Sequence, residues 1–238
     1  MKKIDVYMPA KENECLLFQN NSNYLEIVEN LKSNNICEIS FRLIENNKEV
    51  LTKLYNSILA KYRSNEYSAD YVIFMHSDVN FNIENFAKHL LSLEDKYDII
   101  GLAGSKKLNL KATPLSWFTA SNDRSDERYG YIVSKFNGMD IPSFFNENHP
   151  NISDTETASI DGLCMILSKK IIDSDIKFDK QFENDFYDLD FCLQSILNYN
   201  FIIGTMIEPT YHTSVGESIL GTKFLEFENK FREKWNLA

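Results

Sequence analysis

The sequence predicts an α/β fold in which a mostly parallel central sheet is flanked by helices. Runs of β-branched and aromatic residues alternate with segments of helical periodicity, as expected when crossover helices connect parallel strands. The 238 residues, 43% of them hydrophobic, are enough to bury the core of one such domain. No internal repeat, low-complexity tract or linker interrupts the chain, so we expect a single domain over residues 1–238.

The elements of the first half alternate regularly. The strongest predicted strand covers residues 70–75, because Tyr-Val-Ile-Phe-Met is rich in β-branched and aromatic residues and is bounded by polar ones. A helix over residues 50–62 places five apolar side chains on one side: Leu51, Leu54, Tyr55, Ile58 and Leu59. The other predicted elements are strands over residues 4–8, 36–44 and 97–103 and helices over residues 25–31 and 81–93.

The second half is less regular. Residues 106–126 and 134–159 are rich in Ser, Asn, Asp and Pro and carry few periodic apolar positions, a composition typical of binding loops. Apolar spacing in the closing helix predicts packing on the sheet, with a membrane-surface helix as the alternative. The predicted elements are strands over residues 160–167 and 201–207 and helices over residues 189–199 and 221–235.

Charge and cysteine content argue against several classes of protein. A formal net charge of -10 disfavours nucleic acid as a partner, because phosphate binding needs a surplus of cations. No C-x-x-C pair occurs, which predicts free, buried thiols in a reducing compartment. No secretory signal and no run of roughly 18 to 20 apolar residues occurs, so we expect no transmembrane segment. The predicted location is cytoplasmic, with peripheral attachment to the inner face of the membrane left open. The four cysteines are Cys15, Cys37, Cys164 and Cys192.

Common nucleotide-binding and hydrolase motifs are absent. The eight glycines form no G-x-G-x-x-G and no P-loop, which disfavours a dinucleotide-binding Rossmann enzyme and a P-loop ATPase. No G-x-S-x-G is present, which disfavours an α/β-hydrolase.

A polar cluster, Met75-His76-Ser77-Asp78-Val79, ends the strongest predicted strand. Ligands of an open α/β sheet bind outside the carboxyl ends of its strands, so His76 and Asp78 occupy a position suited to binding or catalysis. The ordinary alternative is a turn in which Ser77 and Asp78 cap the next helix.

Two further clusters lie in the second half. Asp188 and Asp190 fall in the first turn of a predicted helix, where the helix dipole stabilises carboxylates and where Asp190 is well placed to brace the helix. The same pair can instead supply a general base and a group that orients an acceptor. His212 follows a predicted strand and Pro209, and it can be a metal ligand or a hydrogen-bonded structural residue.

Together these clusters resemble the family 2-like glycosyltransferases with the GT-A fold, in particular a bacterial branch whose strand ends in His-x-Asp-Val. The resemblance implies a Rossmann-like nucleotide-sugar fold. It divides the chain into a nucleotide-sugar-binding half, residues 1–104, and an acceptor and catalytic half, residues 105–238. The matching segments, in the family's order, are residues 71–79, 101–104 with Trp117, 161–162, 186–193 and His212.

The resemblance implies a metal site. The family's strand-end motif is Asp-x-Asp, whose last acidic residue holds the divalent ion that clamps the donor diphosphate, so Asp78 takes this role. His76 departs from the general pattern but matches the branch. His212 matches a position at which many GT-A enzymes contribute a histidine to the metal. Mn²⁺ suits a mixed carboxylate and imidazole site better than Mg²⁺ does.

The resemblance also implies catalytic and substrate-binding residues. Asp188 falls where the family's acidic motif supplies the general base, with Asp190 as the second acidic residue, although Tyr187 replaces the acidic residue that often precedes the base. For Asn56 the alternative is a helix-surface amide, and for Trp117 it is a partly buried tryptophan without a sugar contact. The donor or acceptor positions are Asn56, His76, Trp117, Asp161 and Gly162.

The implied reaction is metal-dependent, inverting transfer of a sugar from a nucleotide diphosphate, with UDP-sugars the first choice, to a glycan, lipid or protein acceptor. Two alternatives stay open. A nucleotidyltransferase uses a similar sheet and metal, but it normally has a Gly-rich basic loop where this chain has Pro9-Ala10-Lys11-Glu12-Asn13. A non-catalytic relative that lost its metal site is kept open by His76, which stands in place of an aspartate.

Overall fold

The strand predicted most strongly, Tyr71–Met75, lies in the interior of the larger of two sheets and is buried along its whole length. The predicted helix over residues 25–31, together with Cys15 and Trp117, falls outside the described residues. The computed structural model describes residues 1–11, 36–81, 83–112, 114–116, 127–136, 139–145, 153–212 and 221–237.

Strands and helices are numbered here in chain order. The strands are β1 (Lys2–Pro9), β2 (Cys37–Ile44), β3 (Tyr71–Met75), β4 (Val79–Phe81), β5 (Ile99–Gly101), β6 (Ala103–Ser105), β7 (Arg128–Phe136), β8 (Met139–Phe145), β9 (Thr155–Glu156), β10 (Ser159–Ile160), β11 (Cys164–Ser168), β12 (Ile203–Thr205) and β13 (Thr210–His212). The helices are α1 (Leu51–Arg63), α2 (Ile83–Ser92), α3 (Lys169–Asp173), α4 (Tyr187–Tyr199) and α5 (Thr222–Lys234).

The larger sheet has the order β2-β1-β3-β11-β5-β12-β9. Strand β11 pairs antiparallel with both β3 and β5, and the remaining pairs among β2, β1, β3, β5 and β12 are parallel. These five strands therefore point in one direction, and β9 is antiparallel to its neighbour β12. The predicted fold class, a mostly parallel sheet flanked by helices, is confirmed.

Apolar side chains cover both faces of this sheet. Along β3, Val72 and Phe74 join a buried cluster with side chains of α1 and α4, whereas Ile73 and Met75 join a second cluster with side chains of α2. Tyr55 of α1 stacks on Phe74 with ring centroids 4.0 Å apart. The period-two alternation of a fully buried strand thus places helices on both sides of the sheet.

The smaller sheet has the order β10-β6-β7-β13-β4, and β8 pairs with β7. The prediction of irregular chain over residues 134–159 is therefore wrong for Met139–Phe145, which forms β8, and also for the end of β7 and for β9. Pro142 lies within this strand. In the described part of the chain β8 pairs with β7 alone, and proline is tolerated in a strand whose other side has no described partner.

Two predicted strands are split because the chain passes from one sheet to the other. The strand predicted over residues 97–103 divides into β5 and β6 at Leu102, and the one over residues 160–167 divides into β10 and β11 at the turn that contains Asp161. The helix predicted over residues 81–93 begins later, at Ile83, because the residues before it pair with β13 as strand β4.

The described cysteines are buried and the last helix packs on the core, as predicted. Cys37, Cys164 and Cys192 are buried free thiols. Helix α5 packs against the core through Phe227 and Phe231, which are 6% and 0% exposed. None of the helices in the described part of the chain combines the length and the apolar character needed to cross a bilayer.

Candidate functional site

The candidate site begins where β3 ends. The main-chain N–H of His76 donates to the carbonyl oxygen of Leu163 over 2.9 Å, which ties this strand end to the turn before β11. Residues 77–78 form a turn that leads into strand β4, and α2 begins only at Ile83. Asp78 therefore does not cap a helix, contrary to the ordinary alternative for this position.

Asp78 and His212, the predicted metal ligands, are in contact. Strand β13 pairs antiparallel with β4 so that His212 lies opposite Val79, next to the carboxylate that precedes it. His212 Nε2 is 3.3 Å from Asp78 Oδ2, and the two side chains are 22% and 26% exposed. The hydrogen bond with Asp78 raises the pKa of His212 above its ordinary value and outweighs the opposite effect of burial.

The donor set of this pair suits a divalent metal ion. A carboxylate oxygen and an imidazole nitrogen are both ligands of Mn²⁺. Neighbouring ligands of an octahedral ion, each about 2.1 Å from it, lie about 3.0 Å apart, close to the separation of the pair. Within the described ranges, no group of three or more His, Cys, Asp or Glu side chains is arranged to hold a metal. The described part of the chain therefore offers two protein ligands at this position.

Asp188 lies in the first turn of α4. Its Oδ2 accepts the N–H of Gly162 and its Oδ1 accepts the N–H of Leu189, each over 2.8 Å. Burial, together with the negative charge of Asp161, raises the pKa of Asp188 to about 7, although the backbone N–H groups act in the opposite direction. A carboxyl group with such a pKa can accept a proton from a substrate near neutral pH.

Asp161 acts electrostatically on both His212 and Asp188. It lies in the turn between β10 and β11, where its Oδ1 accepts the N–H of Leu163 over 2.8 Å. Its charge raises the pKa of both His212 and Asp188. Effects of this kind act over short separations. The turn that contains Asp161 is also tied to both neighbouring segments, because the N–H of Gly162 donates to Asp188 and the carbonyl oxygen of Leu163 accepts the N–H of His76.

His76 contacts a residue that the sequence did not identify as part of the site. Its Nε2 lies 2.9 Å from the hydroxyl of Tyr187, which is buried and donates to the carbonyl oxygen of Gly162 over 3.0 Å. Tyr187 thus brings together two predicted binding positions, His76 and Gly162. The sequence offered one indication that Tyr187 belongs to the site, because a tyrosine stands there where the family often has an acidic residue.

Asp190, predicted as the second catalytic acid, is fully buried between two helices. Its Oδ1 accepts the indole N–H of Trp235 over 2.9 Å and lies 2.7 Å from Nζ of Lys234, while its Oδ2 accepts a hydrogen bond from Gln194 over 2.6 Å. Lys234 and Trp235 belong to the end of α5. These contacts match the alternative of a carboxylate that braces the helix.

Replacing Asp190 by alanine should lower the free energy of unfolding by about 3 kcal/mol, because Trp235 and Lys234 would lose a buried partner. Urea unfolding measures this loss. Asp173→Ala, which removes an exposed carboxylate paired with Lys169, is the control and should change the stability by less than about 0.5 kcal/mol. An equally small change in Asp190→Ala would contradict the bracing role.

The two remaining predicted positions are Asn56 and Trp117. Asn56 lies on α1, where its Nδ2 donates to the carbonyl oxygen of Phe178 over 2.7 Å and its Oδ1 accepts the N–H of Phe178 over 2.9 Å. Both polar groups of this amide therefore hold the segment that precedes α4. A donor contact for Asn56 stays a prediction, and Trp117 lies outside the described residues.

Several solved structures resemble the chain at low sequence identity. A197 from STIV aligns over 88% of this chain and 83% of its own, with 12% identity and a TM-score of 0.44. The structure of S. aureus TarS 1-349 in complex with UDP-GlcNAc aligns over 94% of this chain and 64% of its own, with 17% identity and a TM-score of 0.46. The inositol-1-phosphate CTP transferase from T. maritima aligns over 98% and 97%, with 13% identity and a TM-score of 0.37.

The sequence itself matches a known family. No protein with a curated description matches the chain. The sequence profile of the glycosyltransferase-like family, however, matches residues 15–233, a range that contains every predicted site residue from Asn56 to His212. The chain therefore belongs to the glycosyltransferase-like family, as its motifs predicted.

Proposed function

We propose that this protein is a metal-dependent, inverting glycosyltransferase that moves a sugar from a nucleotide diphosphate to a carbohydrate-bearing acceptor. The observation that carries the proposal is the turn of residues 161–163, which is hydrogen-bonded both to the strand end at His76, two residues before Asp78, and to Asp188. Asp78 and His212 can then hold a cation while Asp188 takes a proton, and both can act on one substrate. Membership of the family supports transfer of a glycosyl group.

Asp188 would act as the general base. With a pKa of about 7, roughly half of the molecules carry an ionised Asp188 at pH 7 and about nine in ten do so at pH 8. The ionised carboxylate can take the proton of an acceptor hydroxyl while its oxygen attacks the anomeric carbon. Attack from the face opposite the diphosphate inverts the configuration at that carbon.

Asp78 and His212 would hold the cation, either Mn²⁺ or Mg²⁺. The bound ion supplies positive charge that stabilises the negative charge developing on the diphosphate leaving group. The imidazole ligand favours Mn²⁺, because Mg²⁺ prefers oxygen ligands and water. Asp161 and Gly162, beside this pair, would contact the sugar.

The partners and the location are part of the same proposal. A UDP-sugar is the proposed donor, and a glycan, lipid or protein of cell-surface glycan biosynthesis is the proposed acceptor, bound by residues 105–238. The net charge of -10 disfavours nucleic acid. Buried free thiols at Cys37, Cys164 and Cys192 suit a reducing compartment. We therefore propose a cytoplasmic location or one peripheral to the inner face of the membrane.

A thermal-shift screen tests the proposal. UDP-, GDP-, CMP- and dTDP-sugars are added with Mn²⁺ or with EDTA, and a ligand at 100 times its Kd stabilises the fold by about 2.7 kcal/mol. We expect at least one nucleotide diphosphate sugar to raise the Tm with Mn²⁺ and not with EDTA. Release of the nucleoside diphosphate, with water or test sugars as acceptor, then measures turnover. No metal-dependent shift with any donor would contradict the proposal, and binding without turnover would favour a non-catalytic relative.

Metal-dependent donor binding should weaken as the pH falls, because a protonated His212 cannot coordinate a metal ion. Asp78 raises the pKa of His212, so the loss should begin above the ordinary histidine pKa of about 6.5. Calorimetric titration of UDP with Mn²⁺ between about pH 5.5 and 8 measures this dependence. His212→Gln should bind weakly throughout that range. An affinity that stays constant in the parent would make His212 a structural residue.

A further inference from the structure

Two consecutive residues at the start of α4 hold the same glycine. The hydroxyl of Tyr187 donates to the carbonyl oxygen of Gly162 over 3.0 Å, and the N–H of Gly162 donates to Oδ2 of Asp188 over 2.8 Å. Both main-chain polar groups of Gly162 are therefore bound by neighbouring side chains. Tyr187, Asp188 and Gly162 are named the glycine clamp below.

Close packing leaves the glycine clamp little freedom. Tyr187 is 2% exposed, and a Cβ at position 162 would run into its hydroxyl and ring, so glycine is required there. Phe186, immediately before the clamp, has a φ of 64°, in the left-handed region that few non-glycine residues adopt. This backbone turn allows both Tyr187 and Asp188 to reach the Asp161-Gly162 turn. Such strain persists where surrounding contacts enforce it, and it is common at functional sites.

His76 extends the hydrogen bonds of the clamp. Its Nε2 lies 2.9 Å from the Tyr187 hydroxyl. The carbonyl of Gly162 can only accept, so Tyr187 donates its proton there, and Nε2 of His76 must supply the proton of the second bond. The bonds therefore run in one direction, from His76 through Tyr187 to Gly162. The N–H of Gly162 then continues the path to Asp188.

We propose that Tyr187 is a positioning residue for sugar transfer, because its hydroxyl fixes Gly162 so that the glycine N–H holds Oδ2 of Asp188 in place. The inference rests on the proposed role of Asp188 as general base. A hydrogen bond to the ionised carboxylate favours that form, so the clamp also sets the proton affinity of Asp188. A variant at Tyr187 leaves in place Asp161 and Cys192, two ionisable groups among the described residues that interact with Asp188.

The amide of Gly162 can be observed alone by NMR. The sequence has eight glycines, and Asp161-Gly162 is the one place where a glycine follows an aspartate. Protein labelled with 15N-glycine and carbonyl-13C-aspartate therefore gives a single coupled amide signal, that of Gly162. Its proton shift should follow the ionisation of Asp188 with a midpoint near pH 7. Asp188→Asn should abolish this titration.

Tyr187→Phe keeps the ring and removes the hydroxyl. We expect a smaller titration amplitude at Gly162 and a midpoint raised by about half a pH unit or more, because a looser N–H bond stabilises the carboxylate less. Tyr7→Phe is the matched control, since it removes a buried hydroxyl whose bond runs to Tyr62, 2.9 Å away. It should leave the Gly162 signal unchanged. An unchanged amplitude and midpoint in Tyr187→Phe would overturn the inference.

A second variant covers the case in which Tyr187→Phe does not fold. His76→Ala changes a partly exposed residue and removes the other partner of the Tyr187 hydroxyl. The amplitude at Gly162 should fall in this variant as well, because the Tyr187 hydroxyl loses the donor that orients its own proton toward the carbonyl oxygen of Gly162. If the Gly162 titration in His76→Ala has the same amplitude as in the parent, the inference is overturned.

Kinetics separate the inference from the proposed function. With an active donor and acceptor, Tyr187→Phe should lower kcat on the order of tenfold, change the donor KM by less than about twofold and move the rising part of the pH–rate profile to higher pH. A merely structural role would lower the Tm without moving that profile. If the parent transfers no sugar from any donor, the proposed function fails, and the Gly162 titration still decides whether the clamp holds Asp188.

Discussion

Asp188→Asn is expected to slow sugar transfer by about 10²- to 10⁴-fold while donor and Mn²⁺ bind as in the parent. The asparagine amide cannot accept the proton of the acceptor hydroxyl. It offers a single oxygen, so it can keep one of the two backbone hydrogen bonds that Gly162 and Leu189 donate to the aspartate. The rate of nucleoside diphosphate release at saturating donor measures the effect.

Two controls isolate the chemical step in this variant. Asp173→Asn makes the same substitution at an exposed carboxylate of α3 and should keep the parent rate. Calorimetry of UDP and Mn²⁺ with Asp188→Asn should give the parent affinities. A rate within about threefold of the parent, or a defect confined to donor binding, would assign the base to another carboxylate, with Asp161 the next candidate.

Asp78→Ala is expected to fold normally and to bind Mn²⁺ at least about 100-fold more weakly in the presence of UDP. The substitution leaves His212 as the one remaining ligand of the pair, and the position is 26% exposed, so the fold should tolerate alanine. Electron paramagnetic resonance of free Mn²⁺ measures the affinity directly. Asp173→Ala should bind like the parent. Parent affinity in Asp78→Ala, with thermal unfolding unchanged, would mean that the ion is held elsewhere.

Apolar periodicity predicted strand β3 and helix α1 closely. Residues 70–75 and 50–62 were expected as strand and helix, and the structure has Tyr71–Met75 and Leu51–Arg63. Both succeed because each pattern is local: a fully buried strand is continuously apolar, and a helix packed on one side repeats its apolar residues every three or four positions.

The smaller sheet was harder to predict, because its strands depend on distant partners. Phe81 was predicted as the start of a helix, and it instead ends strand β4 because Val79–Phe81 pairs with β13. Strand β8 contains Pro142, which weakens any strand prediction from local preference. The run from Ile99 to Ala103 is apolar apart from Gly101, and this glycine is the one mark in the run of the change of sheet at Leu102.

The residues of the site could be predicted from local motifs, whereas the contacts between them depend on the fold. Motif resemblance selected Asp78, His212 and Asp188 from the sequence, and the register of β13 against β4 explains why the first two meet. The contact between His76 and Tyr187 was not predicted, although both positions were recognised as departures from acidic residues of the family. His76 and Tyr187 belong to two separate motifs, so their contact is seen only in the folded structure.

The most direct test of the central claim, that Asp78 and His212 hold a metal ion that binds a nucleotide diphosphate, is a calorimetric titration of UDP into the protein with Mn²⁺ and again with EDTA. We predict at least about tenfold tighter binding with Mn²⁺, a difference of about 1.4 kcal/mol or more, and loss of that difference in Asp78→Ala. Equal affinity with and without the metal, or no binding of UDP under either condition, would contradict the claim.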